Sequence, residues 1–223
     1  MRQIALINHS TLADAAEVRR CLAALQTQVT RDFASTWGIS ARLRAADQPA
    51  ADEEPLFLFD DLDQADALGP QHRGIGTRPC GFVFLHPCRA AGEPWQAAAS
   101  HELLELLADP LVNLSAEGVF QGKPAWFALE VCDPVAGDEY EIDDVPVANF
   151  VLPSWFWPGS LPDETLVDFL GRLADPFTLS PGGHATLCME LGRWQPWFAR
   201  RCPSHRRQAG TYSRRRRRGA RGR

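Results

Sequence analysis

Two prolines bracket a stretch of chain in which every ionisable group falls on one side of a helix. From Pro94 to Pro110 it reads Pro-Trp-Gln-Ala-Ala-Ala-Ser-His-Glu-Leu-Leu-Glu-Leu-Leu-Ala-Asp-Pro. Proline suits a first helical turn, and the residue before a proline is pushed out of the helical region, so both ends of a helix over 94–109 are marked. At about 100° per residue, with His101 set to zero, Glu105 falls near 40°, Asp109 near 80° and Glu102 near 100°. Ala99, Leu103, Leu106 and Leu107 fall opposite, between about 140° and 240°. Residues four apart lie one turn apart, about 5–6 Å between Cβ atoms, close enough to grip one ion. Imidazole and carboxylate are both zinc ligands. A glutamate next to the first ligand points off-axis, where it can take a proton from water activated by the ion. The pattern predicts His101 and Glu105 as metal ligands and Glu102 as general base. Glutamates on a solvated helix face carry the same spacing, so the motif alone is weak.

The elements before this helix narrow the choice. Residues 3–8 are an apolar run suited to a buried strand. Thr11 or Asp14 can cap the next helix, Asp14 having the capping-box spacing to Glu17, and Val18, Cys21, Leu22, Leu25, Val29 and Phe33 recur at helical intervals, so 14–36 reads as one long helix ended by Gly38. Ile39–Leu43, Leu56–Phe59 and Gly81–Leu85 read as strands, joined by a polar connection at 45–55 and a glycine-bearing loop at 69–79. Beyond the His-Glu helix the chain reads as loop-rich. It has a short helix near 163–174, a turn at Pro181-Gly182-Gly183-His184, and short strand or irregular structure over 185–199. No internal repeat is present.

Charge divides the chain. Eleven of its 23 Lys and Arg residues lie from Arg200 onward with no acidic residue among them, leaving 12 basic groups against 28 acidic ones in residues 1–199. The expectation is one domain over 1–199 and a disordered Arg-rich tail over 200–223. The five arginines from Arg214 to Arg218 attract phosphate by charge alone, which predicts non-specific nucleic-acid binding that weakens with salt; a merely solubilising extension has the same composition. The apolar run Ile4-Ala5-Leu6-Ile7 stops at Asn8-His9, too short for a secretory signal, and no stretch is long enough to span a bilayer. With six scattered cysteines and no Cys-x-x-Cys pair, the reading is a cytoplasmic protein with reduced thiols, Cys80 and Cys88 being the pair to link under oxidation.

Ser100-His101-Glu102-Leu103-Leu104-Glu105, then Ala108-Asp109-Pro110, then Glu130-Val131-Cys132-Asp133-Pro134, resembles a group of bacterial and phage proteins similar to zincin-like metallopeptidases. The resemblance covers roughly residues 1–190. It implies an α+β, zincin-like fold: a mixed β-sheet, a long N-terminal helix, a metal-site helix and a loop-rich C-terminal part. It also implies a metal-dependent hydrolase, most simply a peptidase acting on peptide or protein, with Zn2+ or another divalent cation. Glu105 stands where the peptidase pattern has histidine. That makes the site harder and more anionic, so calcium or manganese compete with zinc, and a catalytically inactive zincin-like module, phage-related or structural, is the alternative.

Two ligands do not complete a site. Glu130 and Asp133, in the segment that carries the resemblance, are the expected third ligands. A rigid helix carries Asp109 about 6 Å beyond Glu105, which suits it better to buttressing the turn. Cys132 is the alternative soft ligand, although between two outward carboxylates on a strand it would face inward and pack as a small hydrophobe. His72 and His184 are candidates for the substrate side or for proton transfer, although loop histidines are commonly just solvated. The acidic run Asp138, Glu139, Glu141, Asp143, Asp144 lacks EF-hand spacing and reads as a solvated hairpin edge. Asn149 to Trp157 is aromatic enough to line a cleft or to fill a core.

Overall fold

A computed structural model describes residues 1–67, 78–157, 165–189 and 192–204. His72, the start of the helix expected near 163–174 and the arginine run lie outside the described residues. The chain combines helices with several sheets. It begins with β1 (Arg2–Asn8), α1 (Ala15–Thr27), a π-helical turn (Gln28–Phe33), α2 (Ala34–Trp37), β2 (Ala41–Ala45), β3 (Glu54–Phe59), α3 (Leu62–Ala67) and β4 (Gly81–Phe84). It continues with α4 (Leu85–Ala91), α5 (Trp95–Ala108), β5 (Ser115–Phe120), β6 (Lys123–Ala128), β7 (Glu139–Ile142), β8 (Val145–Ala148), α6 (Pro153–Phe156), β9 (His184–Cys188) and β10 (Trp194–Phe198). These elements divide between two compact units: Met1–Pro110 with Glu139–Ala148, and Leu111–Asp138 with the chain from Asn149 onward.

The first unit is built on a parallel four-stranded sheet in the order β2-β1-β3-β4. Parallel strands need long crossovers, and the helical run from Ala15 to Trp37 supplies the one between β1 and β2. The capping box is present as expected: Asp14 accepts from the backbone of Ala16 and Glu17, and Glu17 returns a carboxylate to the Asp14 N–H at 2.9 Å. The helix 14–36 is not uniform, however, because Gln28–Phe33 is wound as a π-helix. Ala5, Ile7, Phe57, Phe59 and Phe84 fill a core on one side. Ile4, Leu6, Leu56, Leu58 and Val83, of opposite parity, are equally buried. Both sheet faces are covered, which is why these strands read as continuous apolar runs rather than as alternation. Two short helices had no periodic signal long enough to show: α3 inside the acidic stretch, and α4, which starts where the β4 strand was expected to run on to Leu85.

The hairpin β7–β8 also belongs to the first unit. Its two turn residues, Asp143 and Asp144, both have positive φ (50° and 59°), the conformation of a tight hairpin turn, so the acidic run is the hairpin edge expected of it.

The second unit corrects the loop-rich expectation. Its core is an antiparallel four-stranded sheet in the order β10-β9-β6-β5. Phe127 on β6 packs edge-on against Trp155 at 5.9 Å, and Phe150, Trp155 and Phe156 are fully buried, so these three aromatics of the segment 149–157 are core, while Trp157 is exposed. The helix expected near 163–174 is absent over 165–174. Asp168 instead accepts from Asn149 Nδ2 and from the Leu173 N–H, both at 2.7 Å, and its backbone bridges to Val151. A short acidic side chain that satisfies backbone groups locally competes with helix formation. Among the described residues, no helix is long and apolar enough to cross a membrane, and all six cysteines are free thiols.

Candidate metal centre

The helix α5 forms where the two prolines place it, with Pro94 at its N-cap and Asp109 at its C-cap. The Asp109 N–H closes the last turn on the Glu105 carbonyl at 2.9 Å. Arg2, at the start of β1, reaches across to donate to the carbonyls of Leu106 and Leu107 at 2.9 and 2.7 Å while pairing with Glu54. A cation on the terminal carbonyls both satisfies them and complements the helix dipole. The helix end is thereby fixed to the sheet.

The helix is buried on more than its aliphatic side. Ser100 is fully enclosed and Glu105 is only 4% exposed, so the polar stripe is not a solvated face. His101 and Glu102 are half-buried. The base of the Glu102 side chain lies over β4, where a Cβ added at Gly81 would come within 3.7 Å of the Glu102 Cβ. The one-turn spacing brings His101 and Glu105 together, with Nε2 of the imidazole 3.1 Å from Oε1 of the carboxylate. That oxygen is shut off from water and makes no hydrogen bond. Two donors of one tetrahedral ion with bonds of 2.0–2.2 Å stand about 3.4 Å apart. The pair therefore fits a shared cation, and a buried carboxylate oxygen without a hydrogen bond calls for a compensating positive charge.

In the second unit, the segment after β6 carries the downstream acids. Glu130 and Asp133 are 6% and 4% exposed, and Cys132 between them is fully buried as a free thiol, as its inward packing required. Asp133 opens a single 3-10 turn, Asp133–Val135, with Pro134 in its first turn. Oδ2 of Asp133 lies 3.2 Å from Nε2 of His184, the first residue of β9. His184 is thus neither a surface nor a solvated loop residue, and it is only 8% exposed.

Sequence reasoning missed the polar network under α5. Ser100 donates to Gln28 Oε1 at 2.6 Å and accepts from the Ala148 N–H at 3.0 Å. Gln28 Nε2 donates to the Ala148 carbonyl at 2.9 Å and to the Tyr140 hydroxyl at 3.1 Å. Tyr140 donates to Asp32 at 2.8 Å, and Arg31 holds the same carboxylate with two contacts of 2.6 and 2.9 Å. Burial and this hydrogen bond to Asp32 push the Tyr140 hydroxyl well above the ordinary tyrosine range. Gln28 and Asp32 both lie in the π-helical turn, a feature that recurs at functional sites. The only hint in the sequence was a serine and a glutamine at positions that helical periodicity assigns to the interior.

Compared with known proteins, the chain matches no family model, no curated protein and no solved structure.

Proposed function

We propose that the protein is a metal-dependent hydrolase, most simply a peptidase, in which His101 and Glu105 each give one donor to a divalent cation. The observation that carries the reading is the His101–Glu105 contact, an imidazole nitrogen facing a buried carboxylate oxygen that has no hydrogen bond. Glu130 and Asp133 are the acids that the sequence resemblance offers as third ligand. One nitrogen and two carboxylates accept Zn2+, and the anionic balance admits manganese or calcium as well. When bound, the cation supplies Lewis acidity, polarising a substrate carbonyl and lowering the pKa of water. Glu102, adjacent to the first ligand, is the group proposed to hold the proton taken from the attacking water and deliver it to the leaving amine. The element order, a strand, a long helix and strands ahead of the ligand helix, supports a zincin-like arrangement. A cytoplasmic setting and salt-sensitive binding of nucleic acid by the arginine tail belong to the same reading.

Purified full-length protein, His101→Ala and Glu102→Gln are assayed for bound metal and for cleavage of a mixed peptide library. One equivalent of metal is expected in wild type and in Glu102→Gln, with loss of metal in His101→Ala and cleavage by wild type alone. Metal at wild-type stoichiometry in His101→Ala would overturn the assignment, and stoichiometric metal without cleavage of any peptide would select the inactive module.

A further inference from the structure

One face of the second-unit sheet is packed, and the other presents rings to solvent. Ala116 on β5, Ala125 and Phe127 on β6, and Ala185 and Leu187 on β9 are buried on the core side. Residues of opposite parity point the other way. The strand register sets four of them in one row: Glu117, Trp126, Cys188 and Trp194. Trp126 is 48% exposed and Trp194 40%, with the small, buried Cys188 between them. Val119, 62% exposed, and the exposed Pro124 and Pro196 lie on the same face. A contiguous apolar surface of this kind marks a place where something binds. Backbones two strands apart are about 10 Å apart, so each indole is spaced to take a flat partner of its own.

Charge selects the partner. The strand that carries Trp194 is preceded by Arg193 and followed by Arg200 and Arg201, all exposed. Arg200 opens the stretch that holds eleven arginines and no acidic residue. Against these the row itself sets one acid, Glu117. Arginines attract phosphate, and aromatic rings stack on unpaired bases of any kind; the two together bind single strands without sequence preference. We infer that the Trp126–Trp194 face is a stacking platform for single-stranded nucleic acid, with the arginines on either side of β10 drawing in its phosphates. The platform builds on the phosphate attraction of the arginine tail and is independent of the metal centre. A basic tail by itself favours the more densely charged duplex. The platform favours the single strand, because the base faces of a duplex are stacked on one another and closed to the indoles.

The full chain is titrated by fluorescence anisotropy with a labelled DNA strand of about 15 nucleotides, alone and as a duplex, at several salt concentrations. The variants are Trp126→Ala, Trp194→Ala, both together, Trp126→Phe and Glu117→Gln. Single-strand affinity is expected to fall about fivefold or more for each ring removed and to stay within about threefold of wild type in Trp126→Phe. Glu117→Gln, which removes the acid from the row, should tighten it. Duplex affinity and the salt dependence of single-strand binding should be unchanged by the alanine variants, since no phosphate contact is lost. Single-strand affinity untouched in the double alanine variant would overturn the platform and leave the tail reading standing. Wild type that binds neither probe would remove both. Retention of wild type on an insoluble β-glucan, abolished in the double variant while single-strand affinity is unchanged, would assign the face to polysaccharide and overturn the proposal.

Discussion

Replacing Ser100 with alanine deletes one oxygen and strands two buried groups. The Ala148 N–H loses the acceptor 3.0 Å away, and Gln28 Oε1 loses the donor 2.6 Å away. Ser100 and Gln28 are fully enclosed and Ala148 is 7% exposed, so water does not replace the missing partner. A buried group left without its hydrogen bond costs about 1–3 kcal/mol. With two groups affected and a hydroxyl-sized void, Ser100→Ala should lose about 2–4 kcal/mol. For a chain of this size that is a fall in Tm of about 4–15 °C. Urea unfolding and thermal melts of Ser100→Ala, Gln28→Ala and the double variant give the test. Because both residues serve Ala148, the double variant should cost clearly less than the two single losses together. A single-variant cost below about 0.5 kcal/mol, the scale of an ordinary surface change, would mean that these buried groups do not depend on the Ser100 hydroxyl. Simple additivity would show that the network does not act as a unit.

Two further predictions concern titration. Burial pushes the Asp60 carboxyl up, but the Ser10 and Thr11 hydroxyls and the Thr11 N–H outweigh it, and the group sits below the usual carboxylate range. Its contribution is therefore present above the unfolded aspartate value and is lost as the pH falls below about 4. Asp60→Asn should flatten the decline in Tm between about pH 6 and pH 3, and an unchanged decline would contradict the assignment. Burial also pushes the Cys21 and Cys88 thiols up to about 12. In the folded protein at about pH 8, mass spectrometry should find both unmodified by iodoacetamide while the half-buried Cys80 reacts; comparable rates at all three would be the opposing result.

The first unit was legible because its signals are local and mutually consistent. Pro94 and Pro110 mark α5, Asp14 and Glu17 mark the start of α1, and apolar runs mark β1, β3 and β4. The π-helical turn was not, since slipping one residue in hydrogen-bond register leaves the apolar spacing of Val29 and Phe33 almost unchanged. In the second unit, prolines concealed strands. Pro124 lies in β6 and Pro196 in β10, and β10 is an edge strand, where a missing N–H is tolerated. At the candidate site, the one-turn spacing predicted the His101–Glu105 contact from helical geometry alone. The link between Asp133 and His184 joins residues far apart in sequence and depends on the close passage at Gly183, which no local pattern announces.

Whether a cation sits on α5 can be decided by anomalous scattering, at the zinc and manganese edges, from crystals of the full chain grown with each ion. One strong peak is expected within bonding distance of His101 Nε2 and Glu105 Oε1. A map with no peak beside His101 and Glu105, or with peaks only at surface carboxylates such as the β7–β8 turn, would contradict the metal assignment.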